Sequence, residues 1–133
     1  MKLTDLTIKQ LSRGLREKEF STVEVAGEYL KEIEKKDREL EAYLSTDKEG
    51  ALSTARRVDE MLAGGGAVSY LAGIPLAIKD NILIEGGPAT AGSKILKGYV
   101  AAYDATVIDK LKKENAVFLG KTNLDEFAMG SST

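Results

Sequence analysis

The chain of 133 residues contains no histidine and no cysteine. Without cysteine there is neither a disulfide framework nor a thiolate nucleophile. Without histidine, Ser-His-Asp and Cys-His chemistry and most zinc sites are excluded within the chain. A general base must then be Lys, Asp, Glu or Tyr. No apolar run approaches the ~20 residues that span a bilayer, so no membrane partner is expected. The first ten residues, MKLTDLTIKQ, also lack the apolar core of a signal peptide. The expected location is cytoplasmic. An excess of one charge is missing too. The 19 basic and 21 acidic residues leave a net charge of −2, which points to neither a nucleic-acid groove nor an anionic membrane.

What is present suits one domain with a small core. Residues 1–66 read as a helical region. Thr7 and Gln10 fit a capping box for a first helix carrying Ile8, Leu11 and Leu15 on one face. Ser21 and Glu24 fit a second box, with Phe20 and Val25 as its hydrophobic staple. From there Val25, Ala26, Tyr29, Leu30 and Ile33 form a buried stripe, opposite a solvated face of Glu28, Lys31, Glu32 and Lys35. Leu40–Leu44 reads as a short strand or extended link. Thr46 is then expected to cap a third helix, with Ala51, Ala55, Val58 and Leu62 inward, and Gly64–Gly66 to end it.

Residues 67–133 read differently. Ile74–Ile78 is a short apolar run that leads into Lys79, Asp80 and Asn81, the pattern of a buried strand with a cation at its exit. An ammonium beside an apolar wall loses hydration, so Lys79 is either paired, with Asp80 or a distant carboxylate, or neutral enough to act as a base. EGGPATAGSK, residues 85–94, looks like an exposed loop, longer than most connections in compact domains. Asp104 is expected to cap a fourth helix to Glu114 and Asn115 to terminate it, with Val107, Ile108 and Leu111 inward. Ala116–Leu119 reads as a second buried strand, and Asn123 with Glu126 as the start of a brief helix. Strand, helix and strand in this order fit a right-handed βαβ crossover with parallel strands. The fold class is α/β: N-terminal helices followed by a partial βαβ unit.

Gly120-Lys121-Thr122 invites a phosphate-loop reading, but Asn115 stands where the first glycine is needed and a strand fills the place of the loop. Lys121 then reads as a surface or strand-end cation, which from spacing alone is hard to separate from Lys79. Ser93, Ser131 and Ser132 lack a local base and read as turn or cap residues. A lysine combined with a serine can nevertheless run acyl transfer without histidine.

The segments LAGIPLAIKDNILIEG, SKIL and YDATVIDKLKKENAVFLGKTNLDEFAMGSST resemble the amidase-signature family. Within it, the likeness is to the front part of the A subunits of aspartyl/glutamyl-tRNA(Asn/Gln) amidotransferases. That resemblance implies the front portion of an α/β/α mixed-sheet domain and a Ser–cis-Ser–Lys triad, with the lysine at Lys79. It makes Met129, Gly130 and Ser131 substrate-binding candidates on the acyl pocket. The implied activity is a glutaminase that releases ammonia for transamidation of tRNA, with glutamine as its small molecule. Other amidotransferase subunits are the implied partners, and tRNA is met only through them. No cofactor or metal is implied in this chain; ATP and Mg²⁺ belong to a partner subunit. Where relatives commonly carry Thr-Thr-Cys, this chain has Ala89, Thr90 and Ala91. The family's two triad serines lie downstream of the motif that ends at Thr133, so the 133 residues are expected to be inactive alone. A non-catalytic scaffold and a piece of another amide hydrolase are the rival readings.

A partial parallel sheet also implies an open edge strand. Self-association, including domain swapping, is the expected outcome for the isolated chain. Light scattering is expected to report a dimer or larger species, and a monomer that persists at every concentration would contradict this.

Overall fold

The computed structural model describes residues 2–131. Its three-stranded sheet has the order β1-β3-β2, with β1 spanning Tyr43–Thr46, β2 Pro75–Lys79 and β3 Val117–Thr122. β2 runs parallel to β3 and β1 antiparallel to it, so the sheet is mixed. The parallel pair expected from the strand–helix–strand order is present. The N-terminal half also contributes a strand to the sheet, somewhat later in the chain than Leu40–Leu44.

Helices α1 (Ile8–Glu17), α2 (Thr22–Leu40) and α3 (Lys48–Ala63) supply most of the core. Both expected capping boxes form, at Thr7/Gln10 and Ser21/Glu24. The start of α2 is closed a second time. Asp59 of α3 accepts hydrogen bonds from the backbone N–H groups of Thr22 (2.6 Å) and Val23 (3.1 Å), using a carboxylate where the helix dipole favours one. Ala26 and Leu30 of α2 and Ala51 and Ala55 of α3 then pack on Val117 and Leu119 of β3. A second cluster joins Leu11, Leu15 and Val25 to Ile74 at the entry to β2. The charged face of α2 is solvated as expected and carries pairs such as Lys36–Glu32.

Glycine is required where β1 meets β3. A Cβ on Gly120 would lie 2.2 Å from the Ser45 carbonyl oxygen and 2.8 Å from the Thr46 Cα, both backbone atoms that cannot step aside. At the entry to β2, Gly73 has φ +79°, and a Cβ there would press on Thr22 and Leu15.

Several local expectations shift. Thr46 does not cap α3, because it stays in β1 paired with Gly120; Asp47 caps instead, accepting from the Gly50 N–H at 2.9 Å. Asp104 does not cap α4, which spans Thr106–Lys113 with Ala105 at its N-cap. The Asp104 carboxylate is held by the Glu85 N–H (2.8 Å) and by Lys112 (2.6 Å). Asn115 is left-handed, φ 57°, as expected of a terminator. Asn123 caps no helix; its side chain accepts from the Leu124 N–H, and Asp125 precedes a short 3-10 turn, Glu126–Ala128. Ile8 and Val107, expected inward, are about half exposed. Among the described residues no helix is long and apolar enough to cross a membrane.

Two measurements follow from these contacts. Gly120→Ala should lower unfolding free energy by about 2–4 kcal/mol in denaturant titrations, through displacement of β1. The Lys112 hydrogen bond, aided by the Glu85 N–H, holds the Asp104 carboxyl below its ordinary range. Its stabilisation is therefore complete above the unfolded carboxyl's titration and is lost as pH falls through the lower folded-state value. Asp104→Asn should cost about 1 kcal/mol at neutral pH, and the difference from the parent should vanish in acid unfolding curves.

Candidate functional site

β2 is an edge strand, and only Ile78 of its five residues is fully buried. Successive side chains alternate across the sheet, so Lys79 leaves on the opposite side from Ile78 and is exposed. The expected burial of Lys79 is thus not met among the described residues. Nor is Asp80 its partner. No hydrogen bond or ion pair involves the Lys79 ammonium among the described residues, and its register partner on β3 is the uncharged Thr122.

Asp80 turns inward instead, and its partner is Lys121. The Lys121 Nζ lies 2.9 Å from Asp80 Oδ1, off the axis of an aligned hydrogen bond, with the two residues 4% and 1% exposed. Of the two readings of Lys121, surface or strand-end cation, the second holds: it lies at the end of β3 as a buried ion-pair partner. Its ammonium also donates to the Pro88 carbonyl at 2.7 Å. Asp80 Oδ2 accepts from both the N–H and the hydroxyl of Thr90. The backbone of Asp80 is engaged as well, its N–H donating to the Thr122 carbonyl and its own carbonyl accepting from the Ala91 N–H, both at 3.0 Å.

This network corrects the reading of residues 85–94 as an exposed loop. Ala89 and Ser93 are buried, and Pro88 bridges to Val100. The Ser93 hydroxyl accepts from the Ile95 N–H as a cap and donates to Glu126 at 2.6 Å. Ala91, at φ 50°, links two segments through its peptide groups. Its N–H donates to Asp80, and its carbonyl accepts from the Phe127 N–H at 2.8 Å. The stretch beyond Phe127 holds the substrate-side candidates. Met129 is 81% exposed, and Gly130 and Ser131 are exposed. No hydrogen bond joins them to Lys79 among the described residues; the two segments meet through Ala91. Ser132 lies outside the described residues.

Asp80 and Lys121 are the residues that spacing did not single out as a pair. A bulge explains the miss. Leu76 pairs with Phe118 and Ala77 with Gly120, leaving Leu119 as the extra residue. The extra residue shifts the alternation by one. Lys121 thereby leaves the helix-packed side of Val117 and Leu119 and joins Phe118 along a cleft of about 380 Å³ that Ser45, Ile84 and Pro88 also line. The available signal was the equal position of Lys79-Asp80 and Lys121-Thr122 at two neighbouring strand ends. Among the described residues no group of three acidic side chains is gathered as a metal would need.

Comparison with known proteins gives this geometry a family. The amidase family model matches residues 24–133. The chain is 50% identical over 133 residues to the A subunit of the glutamyl-tRNA(Gln) amidotransferase of Desulforudis audaxviator, covering all of this chain and 27% of that protein. It is 47% identical over 131 residues to the corresponding protein of Fusobacterium nucleatum, covering 98% of this chain and again 27% of the relative. The chain thus spans about a quarter of the length of the curated relatives it matches, and it aligns with their N-terminal part. Among solved structures, the peptide amidase of Stenotrophomonas maltophilia superposes with a TM-score of 0.88 at 31% identity, over 96% of this chain and 27% of that one. Family model, sequence identity and mixed-sheet fold agree with one another, and the chain belongs to the amidase-signature family.

Proposed function

We propose that this chain is the lysine-bearing front quarter of a glutaminase subunit of a tRNA-dependent amidotransferase. Its substrate class is the primary carboxamide of glutamine, and the released ammonia serves the amidation of Glu-tRNA(Gln) or Asp-tRNA(Asn) on partner subunits. The identity to amidotransferase A subunits, 47–50% in three relatives, exceeds the 31% to the peptide amidase and favours this substrate over other amides.

Lys79 is the proposed general base. The observation that carries this role is a strand-end lysine with no counter-charge among the described residues, next to an aspartate whose charge is already taken. In the proposed reaction the neutral Lys79 amine accepts a proton, relayed through a bridging serine, from a nucleophilic serine. The serine oxygen bonds to the carboxamide carbon, and ammonia leaves with the proton that Lys79 returns. Closing the site over Lys79 would favour the neutral amine by removing water from the ammonium. Met129, Gly130 and Ser131 are the proposed substrate-side segment, tied to the Lys79 strand through Ala91.

By itself the 133-residue chain should release no ammonia from glutamine above background. A chimera in which it replaces the matched N-terminal region of the Desulforudis audaxviator protein tests the role of Lys79. Glutamine-dependent ammonia release should be present and should fall by about 10²–10⁴ in Lys79→Met. Activity that survives this exchange would reject Lys79 as the base.

A further inference from the structure

We propose that Asp80 and Lys121 are positioning residues for Lys79: their closed ion pair withholds the neighbouring carboxylate from Lys79 and pins the strand exit to the loop that meets the substrate-side segment. This rests on the reading of Lys79 as the base and adds the device that keeps it available.

A carboxylate beside an amine favours the ammonium and so works against a base. Asp80 is the residue next to Lys79 and lies just past the end of β2, where the chain turns. Here it is committed inward, with Lys121 2.9 Å from Oδ1 and Thr90 on Oδ2. Lys121 is in turn fixed by the Pro88 carbonyl. The two charges cancel inside the sheet, and Lys79 emerges on the other side of the strand. The surroundings add no substitute for Asp80. β3 places Thr122 opposite Lys79 and Lys121 opposite Ile78, the loop contributes Thr90 and Ala91, and α2 meets β2 at its far end through Val25 and Tyr29. No carboxylate among the described residues comes within ion-pairing distance of Lys79.

The same pair positions backbone. Pro88 and Thr90 are held by the side chains of Lys121 and Asp80, Ala91 by the Asp80 main-chain carbonyl, and Ala91 passes the connection to Phe127, two residues before Met129. Loss of the pair should thus loosen the loop and the Met129 segment together.

Competitive acetylation of the 133-residue chain with trace acetic anhydride, read lysine by lysine by mass spectrometry from about pH 7 to 11, tests the charge logic. In Lys121→Met the orphaned Asp80 carboxylate should lower Lys79 labelling by about threefold below its midpoint. In Asp80→Asn the orphaned Lys121 cation should raise it by about threefold. Asp80→Asn/Lys121→Met should return Lys79 to the parent's profile, and exposed Lys97 should not respond in any variant. A merely structural pair would move Lys79 the same way in both single variants or not at all, and either result overturns the proposal. If a single variant does not fold, the double variant decides: a Lys79 profile more than about twofold from the parent's overturns it. The readout needs no activity. Activity that survives Lys79→Met in the chimera would therefore refute the catalytic reading while leaving the charge segregation measured on its own terms.

Discussion

Two opposite charges buried between strand ends set the terms for this part of the molecule. Removing a carboxylate and an ammonium from water costs several kcal/mol per ion, and their attraction offsets that cost only with further hydrogen bonds. Asp80 and Lys121 find those bonds in one stretch of chain: the Pro88 carbonyl, the Thr90 amide and the Thr90 hydroxyl. The loop is therefore required to solvate the pair, and the pair is required to hold the loop. That mutual dependence explains why a glycine-rich connection with few apolar residues lies packed against the sheet.

The placement of the pair depends on β3. Its first residues face α2 and α3 with Val117 and Leu119, and after the bulge it presents Lys121 to the loop. Gly120 at this change of side lets β1 approach closely. A single six-residue strand thus serves an apolar core at one end and a polar network at the other. The helices contribute rigidity from a distance: Asp59 clamps the start of α2, and the start of α2 supports the entry to β2 at Gly73.

Helices and their starts were the most legible part of the sequence, because caps and 3.6-residue periodicity are local signals. Thr7/Gln10, Ser21/Glu24 and the stripe of Val25, Ala26 and Leu30 all read directly. Thr46 misled because a good cap residue was claimed by a strand pairing with Gly120, a contact between residues far apart in the chain. Asp104 misled in a similar way, its carboxylate being used for Glu85 and Lys112. At the candidate site, Lys79 stood out as a cation after an apolar run, but its exposure and the burial of Lys121 did not. Both depend on strand order and on a bulge, which carry no residue signature in this chain. The motif resemblance carried the family, while the ion pair became visible only in three dimensions.

Ala91 joins the two candidate segments with a left-handed backbone that costs an ordinary residue about 1 kcal/mol. Both of its peptide groups are committed, to Asp80 on one side and Phe127 on the other. Variation at this position is therefore filtered by backbone shape more than by side-chain chemistry. Glycine or asparagine can enter without strain, whereas a β-branched residue would oppose the conformation that joins the segments. A short loop can in this way change its side chains over evolutionary time while the path of its backbone stays constant.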